Sequence, residues 1–172
     1  GGSQAAKIFG EVLPKIFVEC EKNNFNINVY QQCLPEQITQ LKKTYDSNKV
    51  KYELFSFTFD IIKYYKVANL AITRAGSSAL AELLNCKLPI ITIPLKSSAD
   101  NHQLKNAQYF ENKGYGIMLD ENNIEKELFD LLKSMHKNKT SLDLIKQNQT
   151  KYSDKRVFFN IKKEIENLFY EN

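Results

Sequence analysis

Two segments of this chain combine glycine, hydroxyl and carboxylate in a pattern suited to a nucleotide. Gly1-Gly2-Ser3-Gln4 is a glycine turn with a hydroxyl that opens directly into a helix. Backbone without side chains can approach an anion closely, and a helix start offers free N–H groups and a positive dipole end. Ser3, with Gly2 beside it, would add a hydroxyl donor to a diphosphate; a plain N-terminal tail or linker is the competing reading. The second segment is Thr73-Arg74-Ala75-Gly76-Ser77-Ser78-Ala79-Leu80-Ala81-Glu82. Gly76 permits a tight strand-to-helix turn, and Ser77 or Ser78 can cap the helix. Ala79, Leu80, Leu83 and Leu84 form a buried stripe. Glu82 falls off that stripe near the open end of the helix, where a carboxylate can accept hydrogen bonds from both ribose hydroxyls. A solvated surface glutamate is the alternative.

A third segment, Ser97-Ser98-Ala99-Asp100-Asn101-His102-Gln103, follows a strand ending at Pro94-Leu95. Asp100 and Gln103 have capping-box spacing, so Asp100 is expected to cap the helix and Gln103 to reach back. That leaves Asn101 and His102 in the first turn, facing the mouth of the site. Asp100, His102 and the nearby serines make no hydrolase triad, because no nucleophile elbow is present. The two histidines, His102 and His136, stand far apart and make no zinc site.

These segments need a scaffold. The spacing predicts helices over 5–22, 35–45, 60–66, 77–85 and 101–112, with a kink at Pro14 whose ring meets the carbonyl of Gly10. Strands are expected over 26–32, 51–57, 69–73, 89–94 and 116–119. Three further helices, about 123–137, 140–150 and 154–170, close the chain. Alternating strands and helices, two of the strands continuously apolar, predict an α/β fold: a Rossmann-like parallel sheet with helices on both faces. In such sheets ligands bind beyond the carboxyl ends of the strands, where all three segments lie.

Composition sets the bounds. A chain of 172 residues with 42% apolar content suits one domain with a packed core. A net charge of +4, spread over interleaved lysines and acids, does not point to nucleic acid. Cys20, Cys33 and Cys86 share no metal-type spacing, which fits a reduced, cytoplasmic compartment. The longest apolar run, Leu88 to Leu95, contains two prolines and falls short of the ~20 residues a membrane helix needs. The first segment has no strand before it, so the chain reads as one domain of a larger enzyme.

Taken together, the three blocks resemble the C-terminal, donor-binding half of MurG-type glycosyltransferases. Gly1-Gly2-Ser3-Gln4 is similar to that family's GGSQGA loop, with Ala5 replacing a glycine. Arg74-Ala75-Gly76-Ser77 to Glu82 resembles its (S/R)-x-G-x(5)-E block, and Asp100 to Ala107 its D-x-H-Q-x-x-N-A segment. Phe57-Thr58-Phe59-Asp60 is a looser version of its F-I-D-D/N-M run. The resemblance implies the two-domain GT-B fold, with residues 1–172 as a single donor-nucleotide domain lacking its first strand and the N-terminal acceptor domain. It implies transfer of N-acetylglucosamine from UDP-GlcNAc to lipid I in peptidoglycan synthesis, with no bound metal or other cofactor.

Carried over residue by residue, Ser3 touches the diphosphate and Glu82 the ribose. The backbone near Phe57 and Thr58 receives the uracil edge, and His102 and Gln103 lie near the sugar and phosphates. Arg74 sits near the phosphates or salt-bridges a structural partner. The catalytic base, lipid-linked acceptor site and main membrane-facing patch belong to the absent half. The expected place is therefore peripheral, on the inner face of the cell membrane. A split enzyme whose partner chain supplies the acceptor half, an inactive truncated product and a nonhydrolysing UDP-GlcNAc epimerase are the competing readings.

Overall fold

The computed structural model describes residues 3–95 and 98–152, with side chains from Phe9 onward. The segment read as a 154–170 helix, together with Gly1, Gly2, Lys96 and Ser97, lies outside the described residues. The helices are α1 (Ser3–Lys22), α2 (Ile38–Ser47), α3 (Ile62–Val67), α4 (Ser77–Asn85), α5 (His102–Asn112), α6 (Ile124–Lys137) and α7 (Thr140–Lys151). The strands are β1 (Asn28–Gln32), β2 (Lys51–Phe55), β3 (Ala71–Thr73), β4 (Ile90–Thr92) and β5 (Gly116–Met118). All pairings are parallel.

The middle strand β4 shows why helices cover both faces. Successive side chains of a strand point to opposite sides. Ile91 and Ile93 join Leu13, Ile16 and Cys20 of α1 and Leu128 and Met135 of α6 in one core. Ile90 faces the other way, into a core with Leu80, Leu83 and Leu84 of α4 and Ala107 and Phe110 of α5. A third core joins Val18 of α1 and Val29 of β1 to Leu41 and Tyr45 of α2. On the opposite face of that ladder, Phe55 stacks on Tyr64 of α3 with ring centroids 4.7 Å apart.

Two expectations change. The single sheet appears as two ladders, β1-β2 and β3-β4-β5, with no pairing between β1 and β3 among the described residues. Each ladder grows outward from its first strand, and α1 bridges them by packing on both α2 and α6. In a doubly wound order the strands that begin two such ladders flank a central strand rather than each other. Strand ends are also shorter than the apolar runs suggest: Pro89–Pro94 contributes only Ile90–Thr92 to the ladder. The flanking groups still bond to β3, Pro89 accepting the Ala71 N–H and Ile93 donating to the Thr73 carbonyl, but neither proline has an N–H to extend the pairing. Pro14 lies inside α1, which runs from Ser3 to Lys22 as one helical segment. No described helix is long and apolar enough to cross a membrane.

Candidate functional site

The loops at the carboxyl ends of β2, β3 and β4, with the helices they open, carry the predicted residues other than Gly2 and Ser3, and side-chain hydrogen bonds stitch them together. After β3 the chain passes through Arg74 and Ala75 to Gly76, the N-cap of α4, with φ −71° and ψ 135°. Any residue adopts that conformation, and a Cβ built there would meet nothing within 4 Å. Neither backbone geometry nor protein packing requires glycine at 76. What the missing side chain leaves is open space in front of a helix start. No side chain caps α4, which corrects the expectation for Ser77 and Ser78. Both serines lie inside the helix, and the first N–H groups of α4 have no side-chain acceptor among the described residues.

Glu82 projects from the exposed face of α4. Its Oε2 accepts a hydrogen bond from the Tyr65 hydroxyl at 3.5 Å. Burial and the neighbouring Glu82 carboxylate push the Tyr65 phenol up to about 12.

The capping box does not form. Gln103 Oε1 instead accepts the backbone N–H of Leu95 at 3.0 Å, tying α5 to the end of β4. Asp100 (φ 49°) and Asn101 (φ 54°) are both left-handed, and Asn101, not Asp100, is the N-cap of α5. Left-handed backbone is costly for residues with a Cβ. His102 Nδ1 lies 2.7 Å from the Ala99 carbonyl oxygen. A carbonyl only accepts, so Nδ1 carries the proton and Nε2 is left for a ligand. Asn106, to which the sequence reading assigned no role, donates to the Ala75 carbonyl at 3.0 Å. This bond holds the first turns of α5 against the Gly76 loop.

After β2, Phe57 is two-thirds exposed and packs edge-on against Phe59 at 4.8 Å. Thr58 Oγ1 accepts the Asp60 N–H at 3.2 Å, and Asp60 Oδ1 accepts the Lys63 N–H at 3.3 Å. The loop thus winds directly into α3 with its side chains occupied, leaving main-chain groups to meet a ligand.

Arg74 makes the structural ion pair that was one of its two readings. It is 5% exposed, and its Nη2 bonds Glu121 Oε1 at 2.5 Å while Nη1 donates to the Ile93 carbonyl at 3.0 Å. The guanidinium lies 5.0 Å from the Phe9 ring centre, which brings the front half of α1 to this edge of the fold. Both terminal nitrogens hold protein partners. Sequence gave no local hint of Glu121, 47 positions away. Ser3 begins α1. A hollow of about 700 Å³ opens beside the same ion pair, lined by Val12, Glu121 and Asp130 among others. It contains none of the predicted site residues, and its carboxylates would repel a diphosphate. Among the described residues no group of His, Cys, Asp and Glu could hold a metal ion.

Comparisons with known proteins bear on the family and the fold. The model of the glycosyltransferase family 28 C-terminal domain matches residues 1–165. A UDP-N-acetylglucosamine--N-acetylmuramyl-(pentapeptide) pyrophosphoryl-undecaprenol N-acetylglucosamine transferase of Pelagibacter ubique is 34% identical over the full chain, which covers 48% of that relative. A relative with the same name from Rickettsia prowazekii is 40% identical over 86% of the chain and 39% of its own length. The chain therefore spans about half the length of the curated relatives it matches or less. The crystal structure of Acinetobacter baumannii MurG superposes with TM-score 0.75 at 24% identity, over 95% of this chain and 48% of that one. The lipopolysaccharide glycosyltransferase WaaG superposes with TM-score 0.62 at 18% identity, over 85% and 40%. Both show the fold, the C-terminal half of a GT-B glycosyltransferase. The chain is a member of the glycosyltransferase family 28 C-terminal domain family.

Proposed function

We propose that this domain binds UDP-GlcNAc for transfer of N-acetylglucosamine to lipid I, the step that makes lipid II for peptidoglycan. The observation that carries the reading is Gly76: a glycine that neither conformation nor packing demands, opening space before an uncapped helix start. Around that space Glu82 would accept the ribose hydroxyls, and the main chain at Phe57 and Thr58 would receive the uracil edge. His102, through Nε2, and the Gln103 amide would meet the sugar and phosphates. Ser3, with Gly2 before it, would set the start of α1 against the diphosphate.

The reaction is an inverting displacement. The acceptor hydroxyl attacks the anomeric carbon, its proton passing to a base in the other half, while the bond to the diphosphate breaks and UDP leaves with the electron pair. Helix N-termini and main-chain N–H groups offset the growing phosphate charge without a metal. The acceptor, the base, the membrane-facing surface and the strand between β1 and β3 would come from sequence outside these 172 residues, in the same polypeptide or on a partner chain. The whole enzyme would sit peripherally on the inner face of the cell membrane.

Calorimetric titration of the chain with UDP-GlcNAc, with ADP-glucose as control, tests the reading. Selective binding is expected. Glu82→Ala should weaken it by about 1–3 kcal/mol, the range for a lost charge-assisted hydrogen bond. Equal affinity for the two nucleotide sugars, or an unchanged affinity in folded Glu82→Ala, would overturn the assignment.

A further inference from the structure

We infer that Tyr65 is a positioning residue for nucleotide binding: its hydroxyl orients the Glu82 carboxylate toward the ribose and links that carboxylate to the loop expected to hold the base. The inference rests on the donor-site reading above and adds to it a residue that none of the sequence motifs contains.

Glu82 is exposed, so its side chain would otherwise sample many rotamers. The Tyr65 hydroxyl contacts Oε2 alone, at 3.5 Å. Oε1 has no protein partner among the described residues, and a carboxylate oxygen has two lone pairs. The contact therefore restrains the carboxylate while leaving room for two ribose hydroxyls.

The phenol is itself held in place. The Tyr65 ring packs on the core formed by Leu80, Leu83 and Leu84 of the same α4 that carries Glu82. Its neighbour Tyr64 anchors the other side of α3 through the stack on Phe55 and a 2.5 Å bond from its hydroxyl to Glu53 Oε1. Adjacent tyrosines thus donate to carboxylates on different elements, one on β2 and one on α4. Helix α3 begins directly after the 57–60 loop, whose turn is closed by Thr58 and Asp60. The base-edge loop and the ribose carboxylate are joined through one short, doubly anchored helix.

The test is a double-mutant cycle on the full chain, read by calorimetry with UDP and with 2′,3′-dideoxy-UDP, which has no ribose hydroxyls to offer. Tyr65→Phe keeps the ring and its packing. It should weaken UDP binding threefold to tenfold, leave dideoxy-UDP affinity within twofold, and add nothing further in the Glu82→Ala background. Equal weakening for both nucleotides would mean that Tyr65 acts through the fold, and the inference fails. Unchanged UDP affinity in Tyr65→Phe, with Glu82→Ala still weakened, would remove Tyr65 from the site and leave the ribose assignment standing. Unchanged affinity in Glu82→Ala, or no UDP binding by the unsubstituted chain, would overturn the ribose assignment and this inference with it.

Discussion

Removing Glu121 should destabilise the domain more than any other single charge change near the candidate site. The Arg74 guanidinium is 5% exposed; in Glu121→Ala it loses its Nη2 acceptor, while Nε is already buried without a partner among the described residues. Only the Nη1 bond to the Ile93 carbonyl would remain. Breaking a buried pair from one side costs about 3–5 kcal/mol. Glu121 is 18% exposed, so some water reaches the gap and the lower end, about 3 kcal/mol, is expected. For a chain of this size that lowers Tm by about 6–12 °C. Arg74→Met should cost less, because the stranded Glu121 can turn toward water. Arg74→Met with Glu121→Leu should recover part of the loss, since an apolar replacement leaves no buried charge.

Urea unfolding monitored by circular dichroism, with Tm as a second measure, reads these values. A cost below about 1 kcal/mol for Glu121→Ala would show a solvent-screened pair and refute the burial argument. The same variants decide the phosphate role of Arg74. If the pair is structural, the folded double variant keeps its UDP-GlcNAc affinity within threefold. A loss beyond tenfold would return Arg74 to the diphosphate.

Gly76→Ala should change stability by no more than about 1 kcal/mol, because the new methyl meets open space, yet it should cut UDP-GlcNAc affinity at least tenfold. Paired melting and calorimetry measure that split. Gln149→Met should cost about 2 kcal/mol in urea unfolding. It strands the buried Leu88 carbonyl and the half-buried Tyr115 carbonyl that Gln149 Nε2 now bonds at 2.9 and 2.8 Å. The Tyr65 phenol, raised from its ordinary value of 10.0 to about 12 by burial and the Glu82 carboxylate, favours the folded state fully below pH 10. That contribution should be lost as pH rises through about 12, and stability-versus-pH curves should lose this component in Tyr65→Phe.

What the sequence made legible was local. The stripe Ala79, Leu80, Leu83 and Leu84 fixed α4 to the residue, because one apolar face at helical spacing has few other solutions. The two-sided apolar runs around Ile72 and Ile91 announced parallel strands, and their following loops had to hold the site. Long-range partner choice was not legible. Asp100 and Gln103 have the spacing of a capping box, but the fold brings the Leu95 N–H within reach of Gln103, and that unpaired donor wins. Arg74 reads equally well as a phosphate ligand until Glu121 arrives from beyond β5 to bury it.

The contacts that join one site loop to the next, Asn106 to Ala75 and Tyr65 to Glu82, all cross between elements. A motif can therefore name the groups that would touch a substrate while remaining silent about the groups that hold them. Positioning residues such as Tyr65 have no spacing signature of their own, because what selects them is a neighbour in space.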